Sequence, residues 1–370
     1  MTEINKQFFH LLQCALWGSP ADPELFSTIT PRRWTELYQF ASRQALTGLI
    51  YDAMCTLPDS LQPERSLRLK WFMMVQKIEQ ANLRLNSVLG EVSQKMEENE
   101  IDFVLLKGQG QASFYPNPLR RQSGDIDLFF PTTDDYRRVQ EWIAEQGVKE
   151  SASVKHISID WNGAHVEFHD DLEEMHYPPS NRRMQAHYAN CIRSAGYERL
   201  NIQGVWVNAL PAEANLVYMM LHILNHFISG GIGLRQLCDW ALYATAHEGG
   251  IDRRLLTELL KKTGLRRFAN AFAQLQVDYL GVKKEAIPYE YTNDPLYGWL
   301  LDDILEGGNF GFYHSQKDKR PDGKWLGKMH TARKIITRGN RFFRFSPTET
   351  LWFPIHYSIC NIKMMLNGRI

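Results

Sequence analysis

Hydrophobic positions recur at helical spacing toward both ends of this chain, and at strand spacing in its middle. Toward the N-terminus, apolar stripes predict helices over 8–16, 34–51 and about 67–98. Toward the C-terminus, the same periodicity predicts helices over 213–228 and 234–246. The pattern divides the chain into three expected domains: an N-terminal helical region (1–99), a mixed core (100–210) and a C-terminal helical domain (211–370).

The middle of the chain predicts a small mixed sheet. Apolar runs at 103–106 and 125–130 are typical of buried strands, and a brief helix is expected between them at 109–114. The segments His156–Trp161 and Ala164–His169 flank Asn162-Gly163, the preferred pair for a two-residue type I′ turn. The predicted fold class is α+β, in which a small mixed sheet with helices is flanked by N- and C-terminal helical bundles.

Carboxylates gather on the predicted strands. Because side chains alternate across a strand, Asp125 and Asp127 point to the same face. A third carboxylate, Glu167, lies on the polar face of the predicted hairpin, and Asp160 on that face is the reserve candidate. Oxygen ligands suit Mg²⁺, so we predict a divalent metal at Asp125, Asp127 and Glu167, which are also the predicted catalytic residues.

A glycine turn precedes these carboxylates and could hold phosphate. It follows the first strand and opens a short helix, where backbone N–H groups are available as donors. Lysine and arginine side chains nearby can also donate to phosphate oxygens. The predicted nucleotide-contacting residues are Lys107, Gly108, Gln109, Gly110, Arg121, Ser123, Gly124 and Arg235. Paired carboxylates beside such a turn indicate a magnesium-dependent site for a nucleoside triphosphate.

This combination resembles the nucleotidyltransferase superfamily, which has the DNA polymerase β-like fold. The wider pattern, which includes Tyr115-Pro116 and residues 221–240, is similar to an uncharacterised bacterial nucleotidyltransferase family, NTP-transferase type 5. The resemblance implies metal ligands at Asp125 and Asp127, Glu167 as the third, and phosphate contacts near Gly108. It implies Mg²⁺ or Mn²⁺ as cofactor and an NTP, with ATP expected, as substrate. Gln109 departs from the superfamily pattern, which has Gly or Ser there.

Composition narrows the partners and the compartment. The 42 Lys and Arg balance the 42 Asp and Glu, which argues against a long nucleic acid as acceptor. Five scattered cysteines are interpreted as free thiols in a reducing cytoplasm. The N-terminus lacks a signal-peptide pattern, and no apolar stretch reaches the roughly 18 residues of a membrane span. We therefore expect a cytoplasmic protein.

Several charged or titratable groups have more than one interpretation. Arg121 could brace its loop by pairing with Asp125 or Asp127, and Arg235 could pair with Asp239. Histidines beside Glu167 could form a zinc site, although a solvated hairpin face is the preferred interpretation.

Two further features remain open. His222 and His226 lack the glutamate of a zinc protease motif, so they are interpreted as packing residues or as the acceptor side of a cleft. The basic segment 317–344 is interpreted as a solvated helix face that covers a core, with binding of nucleic acid or another phosphorylated acceptor as the alternative.

Two hypotheses follow from the sequence. The first is an enzyme that transfers a nucleoside monophosphate to a hydroxyl of a small molecule, sugar or protein and releases pyrophosphate; modification of a protein acceptor with AMP is its weaker variant. The second is a non-catalytic nucleotide-binding or assembly module that retains the fold. The enzyme requires Glu167 or Asp160 within ~6 Å of the Asp125 and Asp127 pair, so that the carboxylates can share metal ions.

Overall fold

Long helices form the N-terminal part of the protein. The structure, a computed structural model, describes residues 2–148, 150–152 and 156–313, and then 323, 326, 329–330, 333, 337–339 and 341–366. The first helices are α1 (Glu3–Trp17), α2 (Pro31–Arg43), α3 (Thr47–Met54) and α4 (Arg65–Glu98). The predictions of helices at 8–16 and 67–98 are confirmed.

The stripe predicted as one helix over 34–51 forms two helices, so that prediction was wrong in its continuity. The chain turns at Ala45, whose φ is 54°. The buried Gln44 side chain donates to the Ile304 carbonyl (3.1 Å) and accepts from the Leu234 amide (2.9 Å). These bonds to distant parts of the chain hold the break between α2 and α3, and apolar periodicity does not record them.

The middle of the chain forms one seven-stranded mixed sheet in the order β3-β4-β5-β2-β1-β7-β6. The strands are β1 (Val104–Leu106), β2 (Asp125–Phe129), β3 (Glu150–Ala152), β4 (His156–Trp161), β5 (Ala164–His169), β6 (Glu198–Ile202) and β7 (Val205–Ala209). The helices α5 (Gly108–Ala112) and α6 (Thr133–Glu145) follow β1 and β2. β2 is antiparallel to β1 and parallel to β5, so it is central to the sheet.

The predicted β4–β5 hairpin is confirmed. Asn162 (φ 48°) and Gly163 (φ 79°) both adopt the positive φ that a type I′ turn requires. Val166 and Phe168 are fully buried on the core face, whereas Glu167 lies on the opposite, polar face. The turn therefore fixes the register that puts Glu167 on the side of the sheet where Asp127 lies.

We expect Gly163→Ala to destabilise the protein by about 1–2 kcal/mol, because a side chain disfavours the left-handed backbone at φ 79°. Urea unfolding monitored by circular dichroism would measure the change. Gly124→Ala is the matched control, because a methyl group at Gly124 would meet open space and its φ is not in the left-handed region. Equal losses in the two variants would contradict this role of the turn.

The C-terminal part is again helical. The longer helices of its described residues are α7 (Pro178–Ala195), α8 (Ala212–Ser229), α9 (Leu234–Ala246), α10 (Arg253–Lys262), α11 (Arg266–Leu280), α12 (Tyr297–Gly307) and α13 (Pro347–Leu366). They share one hydrophobic core with α1, α2 and α3, in which Phe8 of α1 and Trp240 of α9 are buried. A second core, including Ile126 and Trp142, lies between the sheet and the helices α4 and α6.

The predicted α+β fold class is confirmed: the mixed sheet carries helices, and further helices precede and follow it. The three-domain division at 99/100 and 210/211 stays a prediction. The strands β6 and β7 and the helix α7 lie at 178–209, where the sequence predicted no element. Within the described residues, no helix is long and apolar enough to cross a membrane.

Candidate active site

Three carboxylates meet at the centre of the sheet. Parallel pairing of β2 with β5 puts Asp127 beside Glu167, and Asp125 lies two residues before Asp127 on the same face. Oxygen atoms of Asp125, Asp127 and Glu167 all lie within 4.8 Å of one another. The reserve candidate, Asp160, is exposed and lies 3.0 Å from the Nδ1 of His165. The structure thus brings Glu167, and not Asp160, to the aspartate pair.

A lysine neutralises part of this negative charge. Lys107 Nζ lies 3.1 Å from Asp127 Oδ1, and the Asp127 side chain is only 3% exposed. Lys107 itself has a φ of 45°, so the strand β1 ends in a strained turn that aims this side chain at β2. Burial opposes the charge on Asp127, but Lys107 and His169 outweigh it and lower the pKa of that carboxyl.

Asp125 has the opposite behaviour. Repulsion from Asp127, together with burial, raises the pKa of the Asp125 carboxyl above its ordinary value, although Lys107 acts against the rise. Two neighbouring carboxylates with pKa values displaced in opposite directions are characteristic of a functional centre. The pair would gain from a bound cation, which would relieve the repulsion between the two aspartates.

The glycine turn contributes less to this site than the sequence predicted. Gly108 approaches β2 closely, because a methyl group there would lie 3.2 Å from the Asp125 carbonyl oxygen. Gln109 and Gly110 are buried away from the cavity, and a methyl group at Gly110 would meet Leu105 and Leu200. The helix α5 that follows has only five residues. Among the predicted turn residues, Lys107 and Gly108 therefore face the site, whereas Gln109 and Gly110 do not.

Arg121 is a structural brace. Its Nε and Nη2 donate to both carboxylate oxygens of Asp239 (2.7 and 2.8 Å), and its Nη1 donates to Ser123 Oγ (2.8 Å). The Tyr115 hydroxyl donates to Asp239 at 2.6 Å, so the aspartate is enclosed by donors. From the sequence, Asp125 or Asp127 was a candidate partner of Arg121, and Asp239 was a candidate partner of Arg235. In the structure, Arg121 pairs with Asp239 instead.

Two other residues of the loop before β2, Ser123 and Gly124, were also predicted to contact the nucleotide. Ser123 is occupied by Arg121, and Gly124 is exposed outside the cavity. Neither residue is among those that line the cavity. The loop that precedes β2 is instead fixed to α9 by the Arg121 and Asp239 pair, and this anchor sets the position of Asp125.

Arg235 is another cation at the site. It lies at the start of α9, lines the cavity, and its Nη1 donates to the Gln122 carbonyl. Among the described residues, no carboxylate lies within ion-pair distance of it, and its Nε is buried without a hydrogen-bond partner. Burial and the neighbouring Arg121 lower the pKa of Arg235. An anionic ligand would satisfy this guanidinium.

The carboxylates and Arg235 line one cavity of about 530 Å³, which lies within the roughly 300–1,000 Å³ that is usual for small-molecule sites. Its other wall is formed by α8 and α13. Six histidines line it: His156, His169, His176, His222, His226 and His356. The predicted interpretation of His222 and His226 as residues on one side of a cleft agrees with this position.

His222 is held in one orientation. Its Nδ1 lies 2.7 Å from Glu173 Oε1, and Glu173 Oε2 accepts from Asn225 at 2.8 Å. Burial and the nearby Lys107 lower the pKa of His222, so the imidazole is neutral near pH 7. Sequence reasoning missed Glu173, because it lies in an irregular segment after β5 that carries no motif.

Most of the basic segment 317–344 lies outside the described residues, so its proposed role stays untested. Within it, Arg338 is buried, where it donates to the Phe227 carbonyl (2.6 Å) and to Asp303 (2.7 Å). This arginine holds α8 and α12 together and does not form part of a solvated face.

The donor set at the sheet centre fits a hard divalent cation. Asp125, Asp127 and Glu167 supply only oxygen atoms, and three carboxylates can bridge more than one ion. Asp127, the most buried of them, is ionised because its pKa is lowered. The chemistry of this donor set therefore fits Mg²⁺ or Mn²⁺.

Comparison with known proteins places the chain in a family. The model of a family described as an uncharacterised nucleotidyltransferase matches residues 30–281, more than half of the chain. The chain belongs to this nucleotidyltransferase family, as the sequence motifs predicted. No curated protein matches it.

One solved structure is distantly similar, an antigenic nucleotidyltransferase-like protein from Paracoccidioides brasiliensis. It is 16% identical, with a TM-score of 0.37, and the match covers 54% of this chain and 93% of that chain. A likeness this distant carries no argument about the site.

Proposed function

We propose that this protein is a metal-dependent nucleotidyltransferase that transfers a nucleoside monophosphate from an NTP to a hydroxyl group. The observation that carries the proposal is the convergence of Asp125, Asp127 and Glu167 within 4.8 Å. These residues would hold Mg²⁺ or Mn²⁺, which would neutralise charge on the phosphate oxygens. ATP is the proposed nucleotide.

The proposed reaction makes one bond and breaks one bond at the α-phosphorus. The acceptor oxygen bonds to the α-phosphorus, and the bond from that phosphorus to the α–β bridging oxygen breaks. Pyrophosphate leaves with the electron pair, and the acceptor proton passes to Glu167. Lys107 keeps Asp127 ionised, so the aspartate pair stays ready to bind a cation.

Arg235 is the proposed triphosphate contact, because it is partly buried at the cavity wall and has no carboxylate partner among the described residues. We expect Arg235→Ala to weaken binding of a non-hydrolysable NTP analogue by about 10- to 100-fold, since hydrogen bonds to charged groups contribute roughly 1.5–3 kcal/mol. Isothermal titration calorimetry would measure the affinity.

Two matched variants interpret the Arg235→Ala result. Arg235→Lys keeps the charge but not the planar fork, so its affinity should fall between the wild type and Arg235→Ala. Arg199→Ala removes an exposed arginine on β6, which bonds Asn208 (3.2 Å), and should bind the analogue normally. If Arg235→Ala bound the analogue with wild-type affinity, residues other than Arg235 would have to bind the triphosphate.

The proposed acceptor is a small molecule that enters the same cavity. Apolar and aromatic side chains line its far side, namely Met219, Ile223, Phe310, Phe353 and Tyr357. Such a wall suits a compact molecule with an apolar part, such as a modified sugar, better than a polymer. Glu173 and His222 stand on this wall as an oriented pair that could hydrogen-bond the acceptor hydroxyl.

The test is incubation of the full chain with each NTP and Mg²⁺, in the presence of small-molecule or protein fractions as acceptor. We expect pyrophosphate release that depends on the small-molecule fraction and that the Asp125→Asn, Asp127→Asn double variant loses. Self-labelling or labelling of the protein fraction would favour a protein acceptor. Release that survives the double change would refute the proposed site.

A non-catalytic nucleotide-binding module is the second candidate. The ion pair of Lys107 with Asp127 favours it, because that lysine supplies part of the charge that a metal would supply. The position of Gln109 and Gly110 favours it as well, since neither residue lines the cavity. This candidate predicts that the protein binds an NTP and that the NTP is recovered intact after prolonged incubation with every acceptor fraction.

A further inference from the structure

A second set of metal-binding donors lies on the polar face of the β4–β5 hairpin. His156 and His169 are directly opposite each other in the antiparallel register, and their ring centroids are 5.0 Å apart. Glu167 precedes His169 by two residues, so its side chain lies on the same face. The two-residue turn joins these strands, which makes the set a rigid one.

We propose that His156, Glu167 and His169 bind a borderline divalent metal ion, such as Zn²⁺ or Co²⁺. Their donor atoms lie within 4.8 Å of one another. Imidazole nitrogen with a single carboxylate is the donor set that zinc and its neighbours prefer, whereas Mg²⁺ prefers oxygen alone. This site shares Glu167 with the carboxylate centre and is distinguished from it by the two histidines. Metal binding here goes beyond the proposed nucleotidyl transfer and can be measured without it.

The spacing of the donors supports a tetrahedral ion. His156 Nδ1 and His169 Nε2 lie 3.5 and 3.3 Å from the same Glu167 oxygen, Oε2. Bonds of about 2.0–2.1 Å at tetrahedral angles put neighbouring ligand atoms roughly 3.3 Å apart. Octahedral Mg²⁺ at a similar bond length would bring them to roughly 2.9 Å.

Three protein ligands leave one tetrahedral position open to water or to a ligand from the cavity. All three residues line that cavity, so the open position is accessible from it. His169 Nε2 also lies 3.1 Å from Asp127 Oδ1, and it therefore stands between the two donor sets. The competing interpretation is that both histidines only hydrogen-bond to carboxylates, and it predicts no metal binding here.

Titration of the chelator-treated full chain with Co²⁺ tests the proposal, with visible absorption as the readout and excess Mg²⁺ present throughout. We expect one bound Co²⁺ with tetrahedral d–d bands and competition by Zn²⁺. His156→Ala should weaken Co²⁺ binding by roughly 100-fold or more, beyond the 10- to 100-fold that loss of an outer partner costs. Asp125→Asn should leave Co²⁺ binding nearly unchanged, and so should His247→Ala, which removes a histidine that bonds Glu198 outside this cavity.

A ligand replacement keeps the test decisive if His156→Ala folds poorly. His156→Cys retains a donor at the same strand position, so it should bind Co²⁺ and add a thiolate-to-cobalt charge-transfer band in the near ultraviolet. The proposal is overturned if folded His156→Ala binds Co²⁺ like the wild type, or if His156→Cys binds Co²⁺ without that band. It is also overturned if Asp125→Asn, and not His156→Ala, abolishes the d–d bands.

Discussion

Asp125→Asn is expected to reduce nucleotidyl transfer by roughly 10³-fold while the protein remains folded. Loss of a metal-bridging carboxylate removes several kcal/mol of transition-state stabilisation, and about 4 kcal/mol corresponds to that factor. The same change removes the charge that Asp127 repels, a repulsion seen in the raised pKa of Asp125. The thermal unfolding midpoint should therefore stay equal or rise.

A loss of activity without a loss of thermal stability would identify Asp125 as a residue of the active site. Initial rates of pyrophosphate release and thermal unfolding by circular dichroism would be measured on the same preparations. Asp160→Asn is the matched control, because Asp160 is an exposed carboxylate on the same hairpin that stands outside the donor set. It should change neither quantity. A midpoint that falls sharply in Asp125→Asn would make Asp125 a structural residue.

Asp239→Ala should produce the largest loss of stability, about 3–5 kcal/mol, because it leaves the guanidinium of Arg121 buried without its counter-charge. Arg121 and Asp239 are only 4% and 6% exposed. Guanidinium chloride unfolding at pH 7 would measure the free energy of unfolding. The double variant Arg121→Met, Asp239→Leu should recover much of the loss, since it removes both charges together.

An exposed ion pair is the control for this effect. Arg137 contacts Asp134 (2.7 Å) on the surface of α6, and Asp134→Ala should lower the free energy of unfolding far less than Asp239→Ala does, because water screens an exposed pair. A comparable loss in Asp134→Ala and Asp239→Ala would show that burial is not the cause. If the double variant were as unstable as Asp239→Ala, we would attribute the loss of stability to packing around α9 and not to the unpaired charge.

The same pair makes acid stability dependent on Asp239. Burial opposes its ionisation, but Arg121 outweighs burial and lowers the pKa of Asp239. Because the pKa is lower in the folded state, the stabilisation is fully present above the unfolded value of about 4 and is lost as pH falls through the folded value. Wild type and the uncharged double variant should therefore differ most in their pH dependence below about pH 4.

Local signals allowed the sequence to predict the carboxylate centre. Asn162-Gly163 specifies the turn, the turn specifies the register of β4 and β5, and alternation then places Glu167 on the polar face. Asp125 and Asp127 follow from the same alternation on β2. The sequence did not predict that β2 and β5 lie side by side and parallel. This pairing brings the three carboxylates together.

Contacts between distant parts of the chain decided the rest. Arg121 and Asp239 are 118 residues apart, and Gln44 and Leu234 are 190 residues apart. Such partners leave no periodic trace, so the pairing of Arg121 with Asp239 was not predicted. The phosphate contact predicted for Arg121, which lines the cavity, stays a prediction. Gln109 and Gly110 were predicted as phosphate contacts because the sequence of a glycine turn does not show which way its residues face. In the structure, Gly110 faces the core.

Transfer of label from an NTP is the most direct test of nucleotidyl transfer at this site. ATP labelled at either the α- or the γ-phosphate would be incubated with the full chain, Mg²⁺ and the small-molecule fraction. We expect α-label to move to an acceptor and γ-label to appear only in pyrophosphate, and we expect the Asp125→Asn, Asp127→Asn double variant to show neither. Transfer of γ-label to the acceptor, or α-label transfer by the double variant, would contradict it.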